Sequence, residues 1–240
     1  MFNLKLRPML VALALAAPVA AMAAGYQDVL DTPARESALA AKGLLNGLAN
    51  AGKRIVAVGQ RGHIVYSDDG GQIWRQAKVP VSSDLVAVSF PTPEQGWAVG
   101  HDGIVLHSAD AGLTWTKQLD GRAAGEAMLA YYTAQAEKGA LGSAEEAAKL
   151  VDEAKRVASQ GAENPFLDVW FADEKNGYVV GAFNLIFRTS DGGNTWEPWF
   201  HRTANPNRLH LYAIRGIGSQ VYAVGEQGLN RGTVEEALRG

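Results

Sequence analysis

The sequence predicts an all-β protein: a partial β-propeller of about 3.5 four-stranded blades, interrupted by an inserted α-helical hairpin. The first observation behind this prediction is a stretch that occurs three times, at residues 59–74, 100–115 and 181–196. In each copy a turn and a short apolar strand lead into a [Ser/Thr]-x-Asp-x-Gly-x-x-Trp box. The second is that four strand-like segments accompany the complete copies. The third is that the first two copies start 41 residues apart, which suits one blade.

The first 24 residues have the composition of a secretory signal peptide. Lys5 and Arg7 precede a short run rich in Ala and Leu, and the segment ends in small residues. The run is shorter than the roughly 20 apolar residues of a membrane-spanning helix, so no stable transmembrane helix is expected. We therefore predict cleavage after Ala23 or Ala24 and a periplasmic or secreted protein.

The composition excludes several classes of function. The chain contains no cysteine, which excludes disulfide bonds, thiolate metal sites and a cysteine nucleophile. Removal of the leader lowers the basic count from 22 to 20 against 25 acidic residues, so the mature net charge is near −5. A mildly acidic exported chain is a poor binder of nucleic acid, because phosphate binding needs a basic surface.

The pattern of the remaining chain divides it into four segments. Residues 25–42 are predicted to be a polar lead-in, residues 43–120 blades one and two, residues 121–164 a helical hairpin, and residues 165–240 blade three with an incomplete blade four. The predicted strands are short, β-branched or aromatic, and bounded by turn residues. First strands are expected at 44–48, 85–90, 166–171 and 211–215, second strands at 54–58, 96–99, 177–180 and 220–224, third strands at 63–67, 104–108 and 185–189, and fourth strands from Ile73, Thr114 and Thr195.

Helical periodicity and the absence of strand signals predict the hairpin. One helix is expected over residues 124–138 and a second over residues 143–160. Ser143 and Glu146 have the spacing of a capping box, which bonds free amide groups at a helix start. Residues at helical spacing give the second helix an apolar face, namely Ala147, Leu150, Val151, Ala154 and Val157. The opposing face is assigned to Met128, Leu129 and Tyr132.

The fourth repeat begins at residues 221–228 but no box follows it in residues 229–240. Propellers close with typically four to eight blades, so three and a half repeats predict a fragment or the product of a truncated gene. Two alternatives stay open. The chain could be a half-propeller that completes itself by dimerising, or a product that does not fold stably.

The repeated box is predicted to hold the turn between the third and fourth strands of a blade. Its hydroxyl and carboxylate can bond the turn amides, its Gly permits a positive φ, and its Trp packs back on the blade. Equivalent carboxylates of successive blades lie far apart, so no catalytic residue is assigned. The alternating ligands of a calcium loop are missing, so no metal or cofactor is assigned. The box residues are Ser67, Asp69, Gly71, Trp74, Ser108, Asp110, Gly112, Trp115, Thr189, Asp191, Gly193 and Trp196.

The box matches the Asp-box, or bacterial neuraminidase repeat, of sialidase-type propellers. The longer unit, with a Gly-aromatic-x-Val-Gly segment before strand three, resembles the photosystem II stability/assembly factor family, including its relatives in non-photosynthetic bacteria. That resemblance implies an exported, seven-bladed, non-enzymatic assembly factor that binds membrane-protein intermediates. This sequence departs from the pattern at Ala109, Ala111 and Asn184, in the helical insert, and in the missing later blades.

The turns between strands two and three are predicted to share one face with the blade-to-blade connections and the hairpin. This face carries variable side chains and the only large insertion, as functional loops on a rigid scaffold do. We expect it to bind a protein partner, a membrane protein or membrane complex, rather than nucleic acid. The candidate binding residues are Arg61, His101, Asp102, Phe183, Arg202 and Arg208.

A sialidase-like glycoside hydrolase, or a remnant of one, is the alternative function. It needs an arginine cluster for a carboxylated sugar and a tyrosine nucleophile supported by a carboxylate. Tyr212 is present, but the available arginines show no diagnostic spacing: Arg61, Arg188, Arg202, Arg208 and Arg215. The sequence also contains none of the HExxH, GxSxG, P-loop or GxGxxG motifs.

Overall fold

The computed structural model describes residues 27–203, 205–217 and 220–226. The predicted signal peptide and residues 229–240 lie outside the described residues. Along the described chain, three antiparallel four-stranded sheets precede one two-stranded sheet, and two helices lie between the second and third sheets. The prediction of a partial propeller with a helical insertion is therefore confirmed.

Each sheet is one blade, and its strands pair in sequence order. Blade 1 consists of β1 (Leu45–Ala51), β2 (Arg54–Gly59), β3 (Ile64–Ser67) and β4 (Arg75–Gln76). Blade 2 consists of β5 (Leu85–Ser89), β6 (Gly96–Gly100), β7 (Val105–Ser108) and β8 (Thr116–Leu119). Blade 3 consists of β9 (Phe166–Phe171), β10 (Gly177–Gly181), β11 (Ile186–Thr189) and β12 (Glu197–Pro198). The described part of blade 4 is β13 (Leu211–Ile217) and β14 (Gln220–Gly225).

The fourth strands begin two residues later than the sequence predicted. The predicted first residues, Ile73, Thr114 and Thr195, still belong to the turn, because the N–H of each donates a hydrogen bond to the Asp of its own box. The first strand of blade 1 runs to Ala51, three residues beyond its predicted end. The turn hydrogen bonds therefore set where each fourth strand starts.

Neighbouring blades pack face to face through apolar cores. The first strands β1, β5, β9 and β13 contact one another in that order. Val58 of blade 1 packs in one core with Leu106 of blade 2. The ring of Trp97 in blade 2 stacks on Phe171 in blade 3 with centroids 3.6 Å apart. Val180 of blade 3 lies fully buried in the core shared with blade 4. Alternate residues of each strand therefore face the preceding and the following blade.

The hairpin consists of α1 (Gly121–Glu137) and α2 (Ala144–Gln160). α1 begins three residues before its predicted start because the Asp120 carboxylate accepts the N–H groups of Arg122 and Ala123, at 3.1 and 3.2 Å. At the start of α2, Ser143 and Glu146 form the predicted capping box with both reciprocal bonds. Side-chain caps therefore define the N-termini of both helices.

The hairpin is anchored in the core between blades 2 and 3. A Cβ added at Gly125 of α1 would lie 2.8 Å from the Cα of Ala158, so the two helices approach closely at this glycine. Met128 and Tyr132 from α1 and Val157 from α2 are buried in the core that also holds residues of β7 and β9. The insert therefore forms one packed unit with the two blades that it joins.

The lead-in crosses the outside of blades 1 and 2 before β1 begins. The Ala34 N–H bonds the Val79 carbonyl at 3.0 Å, and Asp31 pairs with Lys117 and Arg122 beside the start of α1. The lead-in ends in a 3-10 helix at Ala40–Lys42. This 3-10 helix packs on β3 and β4 and thus covers part of the outer side of blade 1.

Candidate functional site

The three Asp-boxes share the hydrogen bonds of the box hydroxyl, although the ring N–H of Trp196 lacks the bond that Trp74 and Trp115 make. In blade 1 the Ser67 hydroxyl donates to Asp69 Oδ1 at 2.8 Å and accepts the Gly71 N–H at 2.9 Å. The corresponding distances in blade 2 are 2.8 and 2.9 Å, and in blade 3 they are 2.8 and 2.8 Å. Each box Trp in blades 1 and 2 also donates its ring N–H to the carbonyl of the box Gly. All these contacts stay within one turn.

The box carboxylates are held ionised by the turn. Hydrogen bonds from the Ile73 N–H and the Ser67 hydroxyl lower the pKa of Asp69. Partial burial acts to raise the pKa of Asp110, but hydrogen bonds from the side chain and backbone of Thr114 outweigh it and the pKa is lowered. A carboxylate that accepts several local bonds is a poor proton donor and has little acceptor capacity left for a ligand. This geometry matches a structural role for the boxes.

The opposite face is built from the turns between strands two and three. In each of the first three blades, the second residue after the strand-ending Gly has a left-handed backbone: φ is 58° at Arg61, 59° at Asp102 and 52° at Phe183. This conformation costs a residue with a Cβ roughly 1–2 kcal/mol. The same turn position therefore presents three different side chains, each in a backbone conformation that favours glycine.

Asn184 also belongs to this face, and the sequence marked it only as a departure from the repeat pattern. It follows Phe183 where blades 1 and 2 have a glycine, and its φ of 63° is close to the 69° of Gly62. Its buried side-chain amide donates to the Phe200 carbonyl and to the Thr203 hydroxyl, at 3.2 and 2.8 Å. Its carbonyl oxygen also accepts from the Asn205 amide at 2.9 Å. Asn184 thus fixes the connection that leads from blade 3 to blade 4.

A chain of charged contacts ties this connection to the hairpin. The buried Glu153 of α2 accepts two hydrogen bonds from Arg156, at 2.6 and 3.1 Å, and forms an ion pair with Arg208. The Arg156 guanidinium also lies 5.6 Å from the centroid of the Phe183 ring. The Phe183 N–H in turn bonds His210 Nδ1 at 3.0 Å. Two of the candidate binding residues, Phe183 and Arg208, are therefore linked through the hairpin.

A cleft of about 800 Å³ lies between the hairpin and this connection. Two candidate binding residues, Arg202 and Arg208, line it together with Lys149. Lys149 pairs with Glu145 at 2.7 Å and Arg208 pairs with Glu153, whereas the Arg202 guanidinium has no hydrogen-bond or ion-pair partner among the described residues. The apolar part of the lining comes from Leu141, Leu150, Phe200 and Pro206. The cleft therefore combines apolar surface with one uncompensated cation.

Aromatic and imidazole side chains support the wall of this cleft. The buried Tyr132 hydroxyl lies 2.8 Å from His201 Nδ1, and Tyr131 donates to Glu197 at 2.8 Å. Burial, assisted by nearby Arg202, lowers the pKa of His201 to about 4. Burial and the hydrogen bond to Glu197 raise the pKa of Tyr131 to about 12. His201 is therefore neutral at pH 7, and Arg202 carries the positive charge at this wall.

The remaining candidate binding residues do not line that cleft. Arg61 lines a separate cleft of about 600 Å³ with Arg35 and other lead-in residues. His101 and Asp102 belong to a turn that packs against the start of α1, where the backbone of Gly121 is too close to Gly103 to admit a Cβ. The six candidates therefore share one face but occupy separate parts of it.

The described residues contain no group of three or more His, Asp or Glu side chains that could hold a metal ion. Neither helix in this part of the chain combines the length and apolar character needed to cross a membrane. The site therefore consists of side-chain and backbone groups with no evident metal position among the described residues.

Boxes of this geometry at the turns of stacked four-stranded sheets define an Asp-box β-propeller. The chain belongs to the family described as photosynthesis system II assembly factor YCF48, whose sequence model matches residues 49–152 and 147–236. The solved structure of the computationally designed Ika4 protein has the same fold, with a TM-score of 0.50 and 11% identity over 86% of this chain and 96% of that chain.

Two relatives carry assembly-factor names. Photosystem II stability/assembly factor HCF136 of Oryza sativa is 29% identical over 67% of this chain and 44% of its own length. Photosystem II assembly lipoprotein Ycf48 of Synechococcus is 28% identical over 68% of this chain and 49% of its own length. The chain thus spans about half the length of the curated relatives that it matches.

Proposed function

We propose that this protein is an exported, non-catalytic β-propeller that binds a protein partner and acts as an assembly factor for a membrane-associated complex. The observation that carries the proposal is the cleft between the hairpin and the connection from blade 3 to blade 4, with Arg202 unpaired at its wall. The names of the relatives support an assembly role. Export rests on the leader at residues 1–24.

The composition of the cleft favours a peptide segment over a small metabolite. Apolar side chains line one part of it, and the unpaired Arg202 supplies positive charge at another. A segment that carries apolar residues and a carboxylate would complement both parts. A nucleic acid would meet a mature chain of net charge near −5, which opposes phosphate binding.

A pair of matched charge reversals tests the proposal. Arg202→Glu places a like charge opposite a partner carboxylate, so we expect capture of the partner to fall about tenfold or more. Lys53→Glu makes the same charge change at an exposed residue between β1 and β2, on the face of the Asp-boxes. This control should capture the partner as the unmodified protein does.

The measurement is site-specific photo-crosslinking in the periplasm of the producing cell, with the crosslinking residue in place of Lys149, an exposed residue that lines the cleft. The crosslinked proteins are then identified by mass spectrometry. We expect the unmodified chain and Lys53→Glu to capture subunits of one membrane complex, and Arg202→Glu to capture about tenfold less of them. Equal capture by all three chains, or equal loss with both charge reversals, contradicts the proposed binding face.

The glycosidase alternative has one contact in its favour. The Tyr212 hydroxyl donates to Glu226 at 3.3 Å, which is the pairing that a tyrosine nucleophile requires. The arginines do not gather near it: Arg188 lies over the Trp199 ring, and Arg215 pairs with Asp168. Turnover of a fluorogenic sialoside by the purified protein would favour this alternative over the binding scaffold, and we expect none.

A further inference from the structure

At each end of the described blade array lies an exposed apolar residue whose equivalents elsewhere in the chain are packed between blades, namely Leu48 and Val224. We call the side of blade 1 that faces away from blade 2 the upstream face, represented by Leu48, Ala57, Val65 and Trp74. We call the side of blade 4 that faces away from blade 3 the downstream face, represented by Tyr222 and Val224. Strand pairing places Leu48 opposite Ala57 and Ala57 opposite Val65, so these residues share one side of the sheet.

The downstream face contains a position whose equivalents are buried in blades 1, 2 and 3. Val58, Val99 and Val180 occupy the same place in their second strands, one residue before the strand-ending Gly, and each is 0% exposed against the following blade. Val224 occupies that place in β14 and is 43% exposed. The difference arises because no following blade lies against it among the described residues.

The upstream face shows the same relation at the other end. Val169 of blade 3 and Ile214 of blade 4 are the register equivalents of Leu48, and they are 2% and 0% exposed in the cores shared with the preceding blades. Leu48 is 67% exposed. The burial of the box Trp differs in the same way. Trp115 is buried in the core with the preceding blade, whereas Trp74 is half-buried.

The 3-10 helix of the lead-in closes the upstream face only in part. Ala40 is buried against Ala57 and Val65, but Leu48 remains exposed to solvent. Isolated exposed apolar residues are normal on a protein surface. Leu48 and Val224 differ from such residues because they occupy positions that form the interfaces between blades elsewhere in the chain.

We propose that these two faces join two copies of this chain into a closed pair, in which the downstream face of each copy packs on the upstream face of the other. Inside the chain, Val99 and Val169 lie in one core, and so do Val180 and Ile214. By the same register, Val224 of one copy meets Leu48 of its partner. Two equal contacts related by a twofold axis close the ring without free ends.

Light scattering on the purified mature protein after size-exclusion chromatography tests the pairing. We expect the mass of two chains. Leu48→Asp or Val224→Asp places a carboxylate at each contact, and either change should raise the dissociation constant about a hundredfold or more. Leu113→Asp is the matched control, because Leu113 is an exposed leucine in the box turn of blade 2 and belongs to neither face. It should leave the mass unchanged.

A charge pair then tests the register. Leu48→Lys and Val224→Glu should each dissociate the pair alone, and the chain with both substitutions should pair again because each contact then joins a cation and an anion. Circular dichroism of every variant establishes that the blades remain folded. A single-chain mass for the unmodified protein at every concentration would overturn the proposal. An open ladder of larger species would also overturn it, since the faces would then join without closing.

Discussion

The two faces of this propeller share one repeating backbone but differ in their side chains. On one face the side-chain contacts repeat from blade to blade, and on the other they do not. On the Asp-box face, the hydroxyl-to-carboxylate distance is 2.8 Å in all three complete blades. On the opposite face the turn backbone is equally regular, since the residue after the Gly donates its N–H to the carbonyl just before the first strand of its own blade, at 2.8 to 3.1 Å in every case. The side chains there are Arg61, Asp102 and Phe183, and their surroundings differ.

This difference distinguishes the residues that stabilise each blade from the residues that each blade exposes. Identical contacts in every copy indicate a requirement common to all blades, which is closure of the outer turn. Different side chains on an identical backbone indicate positions that closure does not constrain. The substitutions below compare the two faces, beginning with the largest expected effect.

Removal of a box tryptophan should have the largest effect. Trp115→Ala deletes a buried indole between blades 1 and 2, so we expect a loss of about 3–5 kcal/mol in the free energy of unfolding. Phe183→Ala removes an exposed ring from the opposite face and should cost about 1 kcal/mol or less. Urea denaturation measures both. Similar losses for the two variants would remove the distinction between the faces.

Removal of a box carboxylate should have an intermediate effect. Asp110→Ala leaves the N–H groups of Leu113 and Thr114 and two hydroxyls without their acceptor, at a cost of about 1–3 kcal/mol. Asp102→Asn is the matched change on the opposite face, where Asn also tolerates the left-handed backbone, and should stay within about 0.5 kcal/mol. Thermal melts at pH 7 report the difference. If Asp102→Asn lowers the stability as much as Asp110→Ala does, the expected difference between the two faces is contradicted.

The smallest effect should have the opposite sign. Arg61→Gly removes the Cβ from a residue at φ 58°, so we expect a gain of about 0.5–1 kcal/mol in the free energy of unfolding. The adjacent Gly62→Ala is the control and should destabilise the protein, because its Cβ would lie 2.1 Å from the Val81 carbonyl oxygen. Chemical denaturation measures both variants. A loss of stability at Arg61 would show that its side chain holds the turn.

The fold was predictable because its signals are local. The hydrogen bonds of the box hydroxyl and carboxylate join residues at most four apart, so the spacing of Ser67, Asp69 and Gly71 specifies the turn. The capping box of α2 is equally local, and the sequence located it at Ser143 and Glu146. The start of α1 was placed three residues late because no alternation or periodicity marks Asp120 as its cap.

The candidate site was less predictable because its contacts are distant in sequence. Asn184 bonds residues 16 to 21 positions later, and Arg208 pairs with Glu153, 55 positions earlier. The sequence identified Asn184 only as a departure from glycine. Residues that accept a positive φ include Asn, and that preference was the one local signal of its role. Which partner a long side chain reaches depends on the packing of the hairpin, which the local pattern does not contain.

The order of the strands within each sheet also governs how the chain can acquire its structure. The strands of each complete sheet lie within at most 35 consecutive residues, from Leu85 to Leu119 in the longest case. Contacts between residues close in sequence require little loop closure and form quickly. A blade can therefore complete its own pairing as soon as its segment is available, and its exposed side then serves as a template for the next. Nucleation at one blade and propagation along the array is the behaviour of quasi-one-dimensional repeat proteins, for which the slow step is the first unit rather than the last.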